Sequence, residues 1–284
     1  MLKAKFGPGG NSESFYAAGK KSTLEAPEWV KSVGLDAYEY EAGNGLRTSD
    51  ATLRAIGEEA KKNDVSMSLH TPYFISLSGV EPEKRLNSIR YIKESLHAAE
   101  LLGAKTIVIH SGSAAKISRS EAMALARDTL ERTAMEVGET KIHLGLETMG
   151  KINQLGTLDE VIELCKTAPC YYPVVDFGHL NARDLGGVFV TVDDYARVFD
   201  KIGEALGDDI SKNMHCHFSK IEYTKAGEKK HLTFDDNEFG PFFEPLAEAI
   251  VKYDLSPTII CESAGTMAED ALFMKRACEE LARR

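Results

Sequence analysis

No run in this 284-residue chain is apolar for long enough to cross a bilayer. The opening stretch, Met1 to Gly10, carries lysines but no apolar segment, so no secretory signal is expected. Cysteine is sparse. Cys165, Cys170, Cys216, Cys261 and Cys278 are scattered, odd in number and without a CxxC pair. Their arrangement disfavours a disulfide framework and a Cys-based zinc module, and the expectation is reduced thiols in a cytoplasmic protein. No Pro/Gly/Ser-rich linker or low-complexity tract interrupts the chain, so residues 1–284 are expected to form one domain. Positive charge is in short supply: 34 Lys and Arg face 44 Asp and Glu, a net charge of −10. On bulk charge a polyanionic partner is not favoured. A metal site with a local basic patch can nevertheless hold phosphates on an acidic protein, and metal-binding carboxylates would themselves add to such a balance.

Eight short apolar runs recur at intervals of roughly 30 to 45 residues, as repeated strand–helix units do. They are residues 4–6, 35–40, 65–70, 105–110, 142–147, 172–176, 213–218 and 257–262. The segments between them are amphipathic. In 86–102, Ile89, Ile92, Leu96 and Ala99 fall three and four apart, and Gly103 is a natural helix stop. Segment 120–137, with Ser120 as its cap, and segments 157–166 and 242–253 read the same way. Eight such units in a normal barrel length predict an α/β fold, a single-domain (β/α)8 TIM barrel. An open doubly wound sheet would normally carry a glycine-rich phosphate turn after its first strand. Gly7-Pro8-Gly9-Gly10 lacks that spacing and reads as a simple turn.

A barrel places its chemistry at the C-terminal ends of its strands. Here strand three ends in His70, strand four in His110, strand five in Glu147 and strand six in Asp176. The seventh run carries His215 and His217, and the eighth ends in Glu262. His179 and His231 lie in segments expected on the same side. Taken singly, each has an ordinary explanation: a hydrogen-bonded structural histidine, a helix cap for Asp176, a surface charge for Glu262. Together they are imidazoles and carboxylates converging on one mouth, which suits Zn²⁺, Mn²⁺ or Fe²⁺ and is costly unless neutralised. His97 reads as a helix-surface residue. His143, in parity with Gly145 and Glu147, reads as an interior residue deeper than the metal site.

Two chemistries fit. A carboxylate such as Glu147 can bridge two ions that together drive in-line phosphodiester displacement. A single ion held by Glu147, Asp176, His215 and Glu262 suits proton abstraction beside a carbonyl, as in a sugar isomerase or epimerase. His70, His110, His179 and His231 favour the first, because they supply further ligands. A metal-stabilised binding protein without catalysis is a third class, and so large a costly cluster argues against it.

At these residues the sequence resembles the endonuclease IV family of AP endonucleases, within the xylose-isomerase-like barrel superfamily. The resemblance rests on His-Thr-Pro-Tyr (70–73), Ile-His-Ser-Gly (109–112), Leu-Glu-Thr-Met-Gly (146–150), Asp-Phe-Gly-His (176–179), Met-His-Cys-His-Phe-Ser-Lys (214–220) and Cys-Glu-Ser (261–263). It implies a zinc centre of two or three ions. His70 and His110 would hold the first, with Glu147 bridging as the catalytic carboxylate. Asp176, His215 and Glu262 would complete the second, and His179 and His231 would hold the third. It implies cleavage of DNA 5′ to abasic sites in base excision repair. Tyr73 would be a DNA-probing residue and Arg47 a DNA contact, with no membrane and no obligate protein partner.

The sequence also departs from that family. Where a third-metal Asp is expected, two residues before His231, stands Lys229, a cation that offers no lone pair while protonated. Glu228, Asp235 and Asp236 are the nearby substitutes. Phe-Gly-Pro-Gly-Gly-Asn replaces the family's N-terminal motif, the loop 41–48 lacks its aromatic and Arg-Gln pattern, and His217 is an additional histidine able to compete with His215.

Overall fold

A computed structural model describes residues 2–284. Eight parallel strands form the barrel wall: β1 (Lys5–Pro8), β2 (Ala37–Glu41), β3 (Ser66–His70), β4 (Thr106–His110), β5 (His143–Glu147), β6 (Tyr171–Asp176), β7 (His215–Phe218) and β10 (Thr258–Cys261). Their order is β1-β10-β7-β6-β5-β4-β3-β2, every neighbouring pair parallel. The eight-run reading of the sequence therefore gives the architecture, with strand ends displaced by a residue or two. An antiparallel hairpin, β8 (Ile221–Thr224) and β9 (Gly227–His231), was not foreseen. Its first strand alternates Ile221 and Tyr223 with Glu222 and Thr224 over only four residues, and its second is polar and lysine-rich, too weak a pattern to mark a strand pair.

The seam between β1 and β2 closes the barrel. Asp36 donates its backbone N–H to Phe6 (2.9 Å), Gly10 donates to Glu39 (3.0 Å), and Gly9 bridges Glu39. A Cβ at Gly7 would lie 1.7 Å from the Ala37 carbonyl oxygen, so only glycine lets the strands approach. The expected simple turn at 7–10 is corrected on this point: it is the end of a wall strand and part of the closing seam.

Helices cover the outside. The helix Pro82–Leu102 begins a turn earlier than its apolar spacing suggests, with Pro82 in the first turn, and ends at Gly103 with φ 64°. The helix Arg119–Val137 is capped by Ser118 rather than Ser120: Ser118 Oγ accepts from the Glu121 N–H while the Glu121 carboxylate accepts from the Ser118 N–H. His97 is exposed on its helix beside Asp50, as expected (2.9 Å). The core between wall and helices is continuous and contains Phe6, Phe15, Tyr38, Phe177, Phe218 and Phe243, all essentially buried. Among the described residues no helix is long and apolar enough to cross a membrane.

One loop is held with unusual firmness. Buried Arg183 donates to the carbonyls of Met149, Lys151, Ile152 and Gln154, at 2.9–3.1 Å. Arg119, paired with Glu160, donates to two of the same carbonyls. This loop follows β5 and forms part of the barrel mouth.

Candidate metal centre

The strand register decides which side chains meet. His110 is level with Glu147, and Asp176 is level with His217, whereas His215 is level with Val174, two residues deeper. His215 and His217 share a face because strand side chains alternate, so only one of them can reach the mouth. The mouth residue is His217. Its Nδ1 lies 3.1 Å from Glu147 Oε1 and 3.4 Å from Glu262 Oε1. His215 instead meets Glu39 (2.9 Å) inside the barrel. The expectation that His215 completes the ligand set is corrected on this geometry: the motif places both histidines, and register selects the second.

Glu147 is the hub. Its side chain is buried and its backbone carbonyl accepts from Ser111 Oγ at 2.6 Å. Oε2 faces His110 Nε2 (3.4 Å) and His70 Nε2 (3.7 Å), while Oε1 faces His217 Nδ1 (3.1 Å) and His179 Nδ1 (3.5 Å). Two ring orientations follow from backbone contacts. His70 Nδ1 lies 2.9 Å from the Thr71 carbonyl and His179 Nδ1 2.9 Å from the Thr148 carbonyl, so each ring donates there and leaves Nε2 for a ligand. Asp176 divides its oxygens. Oδ1 caps the following helix by accepting the His179 N–H at 2.7 Å, whereas Oδ2, though buried, has no hydrogen-bond partner. Glu147 Oε2 is likewise buried and without one. Such orphans cost about 1–3 kcal/mol each, more for charged groups.

Of five donor groups among the described residues with ligand atoms within 4.8 Å of one another, three lie side by side around Glu147 and His179: His70, His110 and Glu147; Glu147, Asp176, His217 and Glu262; and His179, Glu228 and His231. The other two, Glu39, His215 and His217, and Glu39, Glu41 and Glu262, share Glu39. Glu228 stands in for the acid expected two residues before His231. Lys229 turns outward to pair with Glu222. Gly150 makes the Glu228 position possible, because a Cβ there would lie 2.6 Å from Glu228 Cβ and 3.0 Å from His179 Cδ2. His231 is oriented by Ser219 Oγ (2.8 Å). The donor set, all imidazole and carboxylate with orphaned oxygens between them, fits divalent ions.

The electrostatics agree. Burial opposes charge on His70, but the hydrogen-bonding Glu147 and the charges of Glu41 and Glu39 outweigh it and raise the ring to about 10. Burial likewise opposes charge on His179 and His217, and Asp176 and Glu147 for the first, Glu262 and Glu39 for the second, hold them well above the usual value. Burial would raise Glu262, but His217 takes it down to about 2. His110 falls to about 4 through burial, against the pull of Glu147. Without an ion, histidinium charges are what neutralise the carboxylates.

The space above the cluster is small, about 220 Å3, and is lined by His70, Tyr73, His110, Lys151, His231 and Glu262 among others. Tyr73 sits over it, its ring 5.1 Å from His70 and 5.4 Å from His110, on Gly43, where a Cβ would collide at 2.2 Å. Arg47 is exposed on the loop after β2 and makes no side-chain hydrogen bond or ion pair among the described residues. A larger cavity, about 480 Å3, opens at the opposite end of the barrel beside Lys3, Lys5, Lys105, His143 and His215. His143 stacks on Tyr172 there (3.7 Å) and lines the cavity with His215, deeper than the metal cluster as expected, but at the open base it is exposed and not part of a closed core. Sequence reasoning missed Glu39, whose buried carboxylate lies between His215 and His217. Its alternation with Glu41 along β2 was the available signal.

A family model described as a xylose isomerase-like TIM barrel matches residues 27–277. The chain is 30% identical over 263 residues to the uncharacterized protein MJ0133 of Methanocaldococcus jannaschii, covering 91% of this chain and 92% of that one. It is 24% identical over 233 residues to a probable endonuclease 4 of Shouchella clausii, 78% of each. Among solved structures, endonuclease IV from Thermus thermophilus superposes with TM-score 0.72 at 19% identity, covering 98% of this chain and 99% of that one. A D-tagatose 3-epimerase-like protein superposes with TM-score 0.71 at 18% identity and 98% coverage of both. At such identities the two structures share the fold and do not choose between chemistries.

Proposed function

The chain belongs to the xylose isomerase-like TIM barrel family, and from that premise we propose that it is a metal-dependent phosphodiesterase that cleaves DNA 5′ to abasic sites, as in base excision repair. The observation that carries this reading is the division of Glu147: one oxygen faces Nε2 of His70 and His110, the other faces Nδ1 of His217. A carboxylate used on both oxygens by separate donor groups is suited to bridging two ions. The third group, His179, Glu228 and His231, has no use in a one-ion isomerase. The likeness to a probable endonuclease 4 supports the same reading.

His70, His110 and Glu147 would hold one ion; Glu147, Asp176, His217 and Glu262 a second; His179, Glu228 and His231 a third. Zinc suits this set, and Mn²⁺ or Fe²⁺ are compatible with it. Bound there, the ions supply hydroxide at neutral pH and stabilise the attacking and leaving oxygens of an in-line displacement. The protein's own part is positional. Thr71 and Thr148 carbonyls fix the rings of His70 and His179. Tyr73 covers the cluster and offers its exposed face to a sugar or base, Lys151 presents a cation for a phosphate, and Arg183 holds the loop that carries it. Arg47 lies on the adjoining rim as a further DNA contact.

One observation favours a second reading. Glu147, Asp176, His217 and Glu262 form a complete four-donor set by themselves, so a single ion with a carboxylate base would serve a sugar isomerase or epimerase. Incubating Zn²⁺- or Mn²⁺-loaded protein with a duplex bearing one synthetic abasic site separates the two. Nicking on the 5′ side is expected. No cleavage at protein well above substrate would remove the DNA assignment, and conversion of a ketose under the same conditions would establish the second reading.

A further inference from the structure

Glu39 is completely buried and has no place in the ion-binding scheme above. It lies on β2 next to the β1 seam, where Gly9 bridges it and contributes no side chain. Its carboxylate crosses the barrel interior to β7. Oε2 accepts from Ser68 Oγ at 2.7 Å and meets His215 Nε2 at 2.9 Å. Oε1 lies 2.8 Å from His217 Nε2. That contact is close but not aligned as a straight hydrogen bond, and neither atom has another hydrogen-bond partner, so each is the other's nearest means of satisfaction. The opposite nitrogen of the same ring, Nδ1, points at Glu147 and Glu262.

An imidazole ligates through the nitrogen that lacks the proton, and which one lacks it is set by what the other nitrogen faces. We propose that Glu39 is the positioning residue of the centre: its buried carboxylate keeps the proton of His217 on Nε2 and so presents Nδ1 to an ion shared with Glu147, Asp176 and Glu262. His215 and Ser68 hold the other carboxylate oxygen and keep Glu39 from rotating away. This explains why two histidines stand in His-Cys-His: the upper one is the ligand, and the lower one braces the acid behind it. The inference rests on the metal-centre reading.

The test uses the full chain, Zn²⁺ as probe, and Glu39→Gln and Glu39→Leu. Gln keeps the shape and an acceptor oxygen, whereas Leu removes the acceptor. Zinc affinity, by competition with a chromophoric chelator, should fall in the order native, Gln, Leu. The Leu loss should be about 10–100-fold, the range for lost outer partners of metal-bound histidine. Long-range proton–nitrogen spectra of histidine-labelled protein should place the His217 proton on Nε2 and zinc on Nδ1 in the native and Gln proteins, and lose that preference in Leu. Native affinity and an unchanged tautomer in Leu would overturn the role of Glu39. So would zinc on Nε2 in the native protein, which would mean that Glu39, His215 and His217 bind an ion themselves. If Leu does not fold, an unaltered affinity together with a lost Nε2 preference in Gln would overturn it equally. A native chain that binds no zinc would instead remove the metal-centre reading beneath it.

Discussion

Loading the ion-free protein with metal should expel protons, and the structure says how many. His70, raised to about 10, is fully protonated at pH 7, as are His179 and His217, which are held well above their usual value. Each must surrender one proton to offer a lone pair. His110, lowered to about 4, is already neutral and contributes none. Asp176, which burial and Glu262 push up to about 6 against His179, adds only about a tenth of a proton at pH 7. Saturation should therefore release about three protons per chain from these rings, and up to about one more where a metal-bound water ionises at neutral pH, and the logarithm of overall affinity should rise with pH at a matching slope. Calorimetric titration with Zn²⁺ in buffers of different ionisation enthalpy reads the number directly. Release of less than one proton would refute the reasoning, because the histidines would then not be the charges that balance Glu147 and Glu262.

Further consequences follow from particular contacts. Gly150→Ala places a methyl group against Glu228 and His179, so bound metal should fall by one ion per chain in elemental analysis, with an overpacking cost of about 1–3 kcal/mol in urea unfolding; unchanged stoichiometry would discount the third group. Arg183→Met removes four hydrogen bonds to the loop, although Arg119 still serves the Ile152 and Gln154 carbonyls, and should lower stability by about 1–3 kcal/mol, read from the shift of the urea midpoint. The stability of the ion-free protein has two edges. Histidines raised in the fold contribute fully below 6.5, and that contribution is lost as pH rises toward about 10 for His70. Glu147 and Glu262, which burial would raise but their histidine partners depress, contribute above 4.5 and lose it as pH falls, toward about 2 for Glu262. Between those edges His110, lowered to about 4, and Asp176, raised to about 6, pull in opposite directions, and Glu41, which desolvation raises to about 7, costs stability as pH climbs above 4.5. Without metal, thermal stability should thus be greatest near pH 4.5 and fall as pH rises, and stabilisation by added Zn²⁺ should grow with pH; a melting temperature rising from pH 6.5 to 10 without metal would contradict this.

The barrel was legible because its strands are short apolar runs separated by amphipathic helices, a pattern that periodicity detects. Strand-end positions made His70, His110, Glu147, Asp176 and Glu262 visible for the same reason. Register was not legible. His215 and His217 are identical in type and parity, and only the pairing of β7 with β6 shows which is level with Asp176. Glu228 was one of three acids near Lys229, and the choice depends on an unforeseen hairpin and on the space Gly150 leaves open. Glu39 escaped notice because the search followed strand ends, whereas its carboxylate acts from the middle of β2 across the barrel.

The central claim is that one mouth holds more than one ion, bridged by Glu147. Elemental analysis of purified, metal-saturated protein tests it most directly. Two or three tightly bound divalent ions per chain, with a lower count in Glu147→Gln, is the expected result. A single ion, unaffected by loss of His70 or His179, would contradict it and leave a mononuclear barrel.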